Sequence, residues 1–158
     1  SYHLHVPQGA IPKDGPSAGV SLFAALMSVA MNTPVVKNIA MTGEITTLGE
    51  VISIGGVREK LTACKNHDVK RVILPLSNKK HVHKLPKEFR KGFTIMYVKN
   101  VHQVKKICFE SADALEKKDY KELRAFDIEV EEYKEDLVEK EFLSQENILE
   151  RNFIEELM

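Results

Sequence analysis

The longest strongly apolar stretch of this sequence, residues 20–31, comes just after a loop, residues 7–16, that holds two glycines and three prolines. The stretch is too short for a membrane-spanning helix, and the loop has too much proline and glycine for regular structure. The sequence therefore predicts a helix over residues 17–31, with Gly15 as its cap and Pro16 at its first position. Because this helix is apolar on nearly every side, we expect it to be buried.

Strand and helix patterns alternate along most of the remaining chain. Residues 2–6 alternate like a strand with one buried face, and Ser77 is expected to cap a short helix. Further strands are predicted at residues 39–46, 51–54, 71–75 and 93–98, and helices at residues 57–67, 77–85 and 101–109. This mixed order predicts an α+β fold built of mixed α/β layers, and it excludes a helical bundle.

Composition narrows the class of protein. The chain has 158 residues, 43% apolar and 29% charged, as expected for one globular domain. Its 23 basic and 23 acidic residues balance, so the overall charge does not indicate a nucleic acid or a membrane as partner. Two cysteines, Cys64 and Cys108, make neither a disulfide framework nor a zinc motif, which favours a reducing compartment.

The charge is unevenly distributed. Residues 1–109 carry a net charge of +10 and residues 110–158 a net charge of −10. Residues 111–158 contain no glycine or proline, and their apolar residues could line helical stripes. We interpret this segment as an acidic, helical and solvated extension. One alternative is a helix that binds a partner. Another is a contact of its acidic groups with the basic body or with a neighbouring subunit.

A first candidate catalytic group is Ser17, which follows a rigid loop at the start of the apolar helix. A helix N-terminus offers unpaired N–H groups and partial positive charge, which an oxyanion beside the serine hydroxyl requires. The alternative is a serine that only completes a helix cap.

A second candidate is Lys60, in the helix predicted after Gly55 and Gly56. At about 100° per residue, Lys60 falls on the apolar arc of Val57 and Leu61. Burial disfavours the charged form of a lysine, and a neutral lysine can accept a proton from a serine. The alternative is a lysine whose stem extends past the edge of the core.

Other sites are disfavoured by the residue spacing. His3 and His5 share a strand face, as His81 and His83 would in an extended segment, but neither pair has a third ligand at metal spacing. The double glycine lacks the Gly-Lys-Ser/Thr ending of a phosphate-binding loop. We therefore expect no metal and no cofactor in this chain.

Four motifs, in order, resemble the proteolytic domain of Lon proteases over residues 2–109. Residues 12–19 read PKDGPSAG, residues 40–45 AMTGEI, residues 54–61 IGGVREKL, and residues 72–75 VILP, followed by NKK at residues 78–80. The serine motif looks like the subtype whose ATPase lies on the same soluble polypeptide. The resemblance implies the Lon proteolytic-domain fold, which is similar to ribosomal protein S5 domain 2, over residues 1–110. The first strands of that fold are expected to be missing. Residues 111–158 would form an extension.

The resemblance assigns roles residue by residue. It makes Ser17 the nucleophile and Lys60 the general base of a dyad. Thr42 matches the threonine that hydrogen-bonds the lysine. Asp14 matches an aspartate that lies near the lysine in some inactive conformations, so the loop of Asp14, Gly15 and Pro16 is a candidate switch.

The resemblance also implies the activity: hydrolysis of unfolded or damaged proteins through an acyl-enzyme. ATP and magnesium are expected only for an ATPase module outside this chain. The intact protein is expected to form a homo-hexamer. Its expected compartment is a bacterial cytoplasm or the mitochondrial matrix, with the matrix slightly favoured. A non-catalytic ring-assembly module and an unrelated serine–lysine amidase or esterase remain the alternatives.

Overall fold

The computed structural model describes residues 3–5 and 15–134. Its helices are α1 (Gly19–Met31), α2 (Val57–Asn66), α3 (Lys79–His83), α4 (Lys87–Arg90), α5 (Val101–Glu110), α6 (Ala112–Lys117) and α7 (Lys121–Ala125). Its strands are β1 (Ile39–Met41), β2 (Glu44–Ile45), β3 (Val51–Ile52), β4 (Arg71–Pro75), β5 (Thr94–Val98) and β6 (Glu129–Glu132), and a 3-10 turn spans Leu76–Asn78. No helix in these ranges is long and apolar enough to cross a bilayer.

Four strands form one sheet in the order β1–β4–β5–β6. The first three are parallel, with Val72 of β4 opposite both Ala40 and Ile95, and β6 is antiparallel to β5. Strands β2 and β3 form a separate antiparallel pair, joined by a turn in which Gly49 has a φ of 81°. That turn lies between the two strands predicted over residues 39–46 and 51–54.

Alternation of side chains along the central strands gives the sheet two buried faces. Ile73 and Met96 point to a core under α1 and α5, together with apolar residues of α6 and α7. Val72 and Ile95 point to a second core, closed by Leu61 of α2 and by side chains of α3 and α4. Helices therefore cover both faces, and the predicted mixed α+β layering is confirmed.

The predicted elements between residues 57 and 110 agree closely with α2, β4, β5 and α5. The strand predicted over residues 39–46 is interrupted, because Thr42 and Gly43 leave the sheet. The Thr42 amide still donates to Ile73 of β4, whereas Gly43 pairs with Ser17 at the entry to α1. The chain then continues as β2 in the other sheet.

The helix predicted over residues 17–31 begins later and is less buried than expected. Helix α1 begins at Gly19 with Ala18 as its N-cap, so Gly15 does not cap it and Pro16 is not its first residue. Only Val20 and Ala24 are buried in it, because α1 packs on the sheet with one side. Its outer side remains exposed at Leu22, Leu26, Val29 and Met31.

One further prediction is wrong and one is only partly right. Residues 3–5 are not a strand, since a strand also needs a neighbour for its backbone hydrogen bonds, which an alternating pattern does not provide; residues 2 and 6 lie outside the described ranges. A short helix does lie within residues 77–85, as α3, but a 3-10 turn precedes it and no side chain caps it. Ser77 is exposed.

The chain remains part of the globular body after residue 110. Leu115, Tyr120, Leu123 and Ile128 are buried in the core under α1 and α5, and β6 adds an antiparallel edge to the sheet. The interpretation of this segment as a solvated helical extension is therefore wrong for residues 112–132, which bury apolar side chains and include a strand. Residues 135–158 lie outside the described ranges.

Candidate active site

Ser17 is half-buried in the turn that leads into α1. Its main-chain carbonyl accepts hydrogen bonds from Thr42 Oγ1, at 2.9 Å, and from the Gly43 amide, at 3.0 Å. The Gly43 carbonyl in turn accepts from the Val20 amide, at 3.1 Å. These three bonds fix the backbone of the serine to the segment just after β1.

Glycine is required where these two segments meet. A Cβ on Gly43 would lie 2.7 Å from Cγ2 of Val20 and 2.8 Å from Cγ1 of Val51, and one on Gly19 would lie 3.1 Å from the Ile45 amide nitrogen. Carbon atoms pack at about 3.5–4.0 Å. The hydrogen bonds that hold Ser17 therefore depend on the absence of a side chain at Gly43.

At the start of α1, some backbone amides donate hydrogen bonds to described backbone carbonyls and others do not. The Gly19 amide donates to Pro16 and the Val20 amide to Gly43. The amides of Ser17 and Ala18 have no backbone acceptor among residues 3–5 and 15–134. Because free amides at a helix N-terminus stabilise negative charge, these two are the candidate donors to an oxyanion beside the serine hydroxyl.

Lys60 lies in the first turn of α2, which starts at Val57 after Gly56 with a φ of 65°. Its neighbours Val57 and Leu61 are buried against the sheet, and Lys60 itself is half-buried. Within the described ranges, its amine forms no hydrogen bond or ion pair, including none to the Ser17 hydroxyl. The structure thus brings Thr42 to Ser17, while the pairing of Ser17 with Lys60 stays a prediction.

Comparison with known families shows which family the chain belongs to. Residues 1–111 match the model of the Lon protease (S16) C-terminal proteolytic domain. This chain belongs to that family. The predicted resemblance and the α+β fold are therefore confirmed.

Curated relatives carry the same name. The chain is 50% identical over 109 residues to a Lon protease of Buchnera aphidicola from Schizaphis graminum, and 47% identical over 107 residues to that of Protochlamydia amoebophila. A mitochondrial Lon protease homolog of Ostreococcus lucimarinus is 48% identical over 104 residues. These matches cover 69%, 68% and 66% of this chain but only 14%, 13% and 11% of the relatives. The chain corresponds to a small part of each relative's length.

Of the predicted switch loop of this Lon proteolytic domain, two residues are described. Gly15 and Pro16 are exposed, and Gly15 has a φ of 94°, in the left-handed region that favours glycine. Asp14 lies outside the described residues. Its contact with Lys60 therefore stays a prediction.

Asn78 is a buried polar residue that the sequence did not single out. It is fully buried, accepts a hydrogen bond from the Ile54 amide at 3.0 Å and donates one to the Ile54 carbonyl at 2.8 Å. Helix α2 begins three residues after Ile54, so Asn78 fixes the backbone that leads into the helix of Lys60. The only sequence signal was a polar residue just after a buried strand, in the family motif at residues 78–80.

Neither cysteine is a candidate nucleophile. Both are free thiols, Cys64 on α2 and Cys108 on α5. Burial raises the pKa of Cys64 above its ordinary value and that of Cys108 to about 12. Since the thiolate is the reactive form, both stay protonated and unreactive near neutral pH.

The candidate metal ligands contact other groups. His81 Nδ1 lies 3.1 Å from Nδ2 of Asn78, and His83 Nε2 lies 3.0 Å from the Glu131 carboxylate. In residues 3–5 and 15–134, no three His, Cys, Asp or Glu side chains are grouped as a metal site requires. The expectation that the domain holds no metal stays a prediction.

Proposed function

We propose that this chain is the proteolytic part of an ATP-dependent serine endopeptidase, with Ser17 as nucleophile and Lys60 as general base. The observation that carries the proposal is the attachment of Ser17 to the segment after β1 through Thr42 and Gly43. This attachment fixes the backbone of the serine in one geometry. The serine lies beside two amides that have no backbone acceptor among the described residues. Such fixed donors are what acyl transfer requires.

The reaction proceeds in two steps. Neutral Lys60 accepts the Ser17 proton, the hydroxyl oxygen attacks the substrate carbonyl, and the amides of Ser17 and Ala18 donate to the oxyanion. Lys60 then protonates the leaving amine, which completes the acyl-enzyme. It next takes a proton from water, whose oxygen attacks the ester, and returns that proton to the Ser17 oxygen as the acid product leaves. Catalytic contacts often tighten only when substrate binds, which accounts for a half-buried Lys60 amine that has no ion pair with any of the described residues.

The substrates and partners follow from the family. Unfolded or damaged proteins are the proposed substrates, and an ATPase module that binds ATP and magnesium delivers them. The intact protein forms a homo-hexamer. It works in a reducing compartment, either a bacterial cytoplasm or the mitochondrial matrix; the relatives are bacterial proteins and a mitochondrial homolog. Asp14 switches the site off by pairing with Lys60, which keeps the amine protonated.

Labelling with a fluorophosphonate tests the nucleophile without depending on an ATPase. An activated serine oxygen displaces fluoride and forms a stable phosphonate ester, which mass spectrometry of the digested 158-residue chain locates. We expect the label on Ser17 and at least about a 100-fold slower reaction in Lys60→Gln, because general-base help contributes about 10²–10⁴-fold. Matched controls are Ser77→Ala and Lys80→Gln, which change exposed groups outside the proposed dyad and should leave labelling unchanged.

The alternatives predict other outcomes. A non-catalytic assembly module leaves Ser17 no more reactive than Ser77. A serine–lysine esterase or amidase labels at Ser17 but turns over a small ester while the intact protein, supplied with ATP, leaves casein uncut. The proposal requires both labelling at Ser17 and casein cleavage that Ser17→Ala abolishes.

A further inference from the structure

A basic patch lies across α2, α4 and the loops beside them, on a different flank of α2 from Lys60. It consists of six cations: Arg58, Lys65, Lys70, Lys87, Arg90 and Lys91. Among the described residues, two carboxylates lie with them, Asp68 at 3.8 Å from Lys70 and Glu88 paired with Lys91. Counted over these described side chains, the basic patch has a net charge of +4.

Aromatic rings hold three of these cations in place. The Lys65 ammonium lies 4.8 Å and the Arg58 guanidinium 5.7 Å from the centre of the Phe89 ring, and Arg90 lies 5.0 Å from that of Tyr133. A cation–π contact orders a cation without neutralising its charge. The basic patch is thus preorganised for an anionic partner, because its cations lose little freedom on binding.

The chain itself supplies an anionic segment at this place. Lys134, the last described residue, lines a cavity of about 330 Å³ together with Lys87, Arg90 and Tyr133. Residues 135–158 then carry eight acidic and two basic side chains, a net charge of −6. An acidic segment therefore starts beside a basic surface of comparable and opposite charge.

We propose that residues 135–158 bind the basic patch of their own chain. Tethering at Lys134 gives this segment an effective concentration in the millimolar range. Each residue can span about 3.3 Å, so the first few reach Lys87 and later ones reach Lys65. The contact is electrostatic, so salt that shortens the Debye length to a few ångströms weakens it. This inference does not depend on the proposed proteolytic chemistry, since neither Ser17 nor Lys60 takes part.

Zero-length cross-linking of the full 158-residue chain tests the contact. A water-soluble carbodiimide activates a carboxylate, and a lysine amine in contact with it displaces the urea leaving group to form an amide. Mass spectrometry of the digest then locates each bond. We expect cross-links from carboxylates of residues 135–158 to Lys65 and Lys87, at least fivefold more abundant than links to Lys121, and reduced at least threefold in 0.5 M NaCl. Lys121 is equally exposed but lies on α7, on the other side of the sheet.

Two variants separate specific binding from random collision. The double variant Arg58→Glu/Lys65→Glu should reduce links to the remaining Lys87 at least threefold, whereas Lys121→Glu should not. Circular dichroism checks that each variant folds. A mixture of ¹⁴N and ¹⁵N chains distinguishes links within one chain from links between two.

Three results overturn the proposal. The first is an even spread of cross-links over Lys65, Lys87 and Lys121, and the second is mixed-isotope pairs as frequent as same-isotope pairs. The second result would assign the acidic segment to a neighbouring copy. Absence of any link from residues 135–158 to the basic patch, with links formed elsewhere in the same sample, overturns it as well.

Discussion

The hydroxyl of Thr42 donates a 2.9 Å hydrogen bond to the main-chain carbonyl of Ser17. The side chain of Thr42 is buried, and its amide donates to Ile73 in the central strand β4. The threonine therefore connects the backbone of the proposed nucleophile to the core of the sheet. A hydroxyl that donates one bond still has lone pairs that accept another, so a bond from Lys60 to Thr42 remains compatible with this geometry.

Thr42→Val should therefore reduce activity more than stability. The substitution keeps the shape but removes the hydroxyl, so the free energy of unfolding should fall by about 1 kcal/mol. The Ser17 carbonyl keeps its bond from Gly43, but the serine gains freedom. We expect fluorophosphonate labelling of Ser17 to slow by about tenfold, because a small displacement of a catalytic group can cost up to 10²-fold.

Thr62→Val is the matched control, since Thr62 is exposed and its hydroxyl bonds the carbonyl of Arg58 within its own helix. Thr42→Ser, which keeps the donor, should restore most of the labelling. Equal labelling rates in Thr42→Val and wild type would contradict a positioning role for Thr42.

Gly43→Ala should destabilise the domain, because the added methyl group would meet Val20 and Val51 at 2.7 and 2.8 Å. Overpacking of this kind costs about 1–3 kcal/mol, and here it would also push α1 away from the segment that holds Ser17. Urea denaturation measures the loss. Gly55→Ala is the control, since a Cβ there meets nothing within 4 Å, and it should change the free energy of unfolding by less than about 0.5 kcal/mol.

The sequence was most informative where pattern and tertiary role agree. Arg71–Pro75 reads as a short buried strand ended by proline, and it occupies the centre of the sheet as β4. Lys60 was placed on the apolar arc of its helix from periodicity alone. It is half-buried beside the buried Val57 and Leu61, which fits both a lysine that faces the core and one whose stem extends past the edge of the core.

Errors arose where distant segments decide the outcome. The start of α1 depends on hydrogen bonds between Ser17 and residues 42–43, which are far away in sequence. The apolar pattern of α1 could not show that its outer side, at Val29, remains 62% exposed. Asn78 was missed because a buried asparagine that bonds another segment's backbone has no local pattern.

Asn78→Ala should lower both stability and the reactivity of Ser17. It leaves the amide and carbonyl of Ile54 without partners in a partly buried place, which costs about 1–3 kcal/mol. It also frees the Gly55–Gly56 turn that starts the helix of Lys60. The free energy of unfolding and the labelling rate should both fall, whereas Asn66→Ala, at the exposed end of α2, should alter neither appreciably.

Glu131 of β6 fastens the last strand to the rest of the domain. Its carboxylate accepts hydrogen bonds from Tyr133, from His83 and from Tyr97 at 3.2 Å, and lies 3.2 Å from the Lys79 ammonium. Burial alone would raise the pKa of Glu131, but the hydrogen bonds from Tyr133, His83 and Lys79 outweigh it and lower the pKa to about 2.

A pKa below the ordinary 4.5 means that the ionised form of Glu131 stabilises the folded state. Its contribution is complete above about pH 4.5, where the unfolded chain is also ionised, and is lost as pH falls towards the folded-state pKa of about 2. Because the carboxylate is partly exposed, we expect solvent screening to limit the effect to about 1 kcal/mol. Urea denaturation of wild type and Glu131→Gln should differ by that amount at pH 6 and converge near pH 2. Glu116→Gln, on the exposed surface of α6, is the control, and its free energy of unfolding should follow that of wild type at every pH. A difference in the free energy of unfolding between wild type and Glu131→Gln that stayed constant down to pH 2 would contradict the assignment.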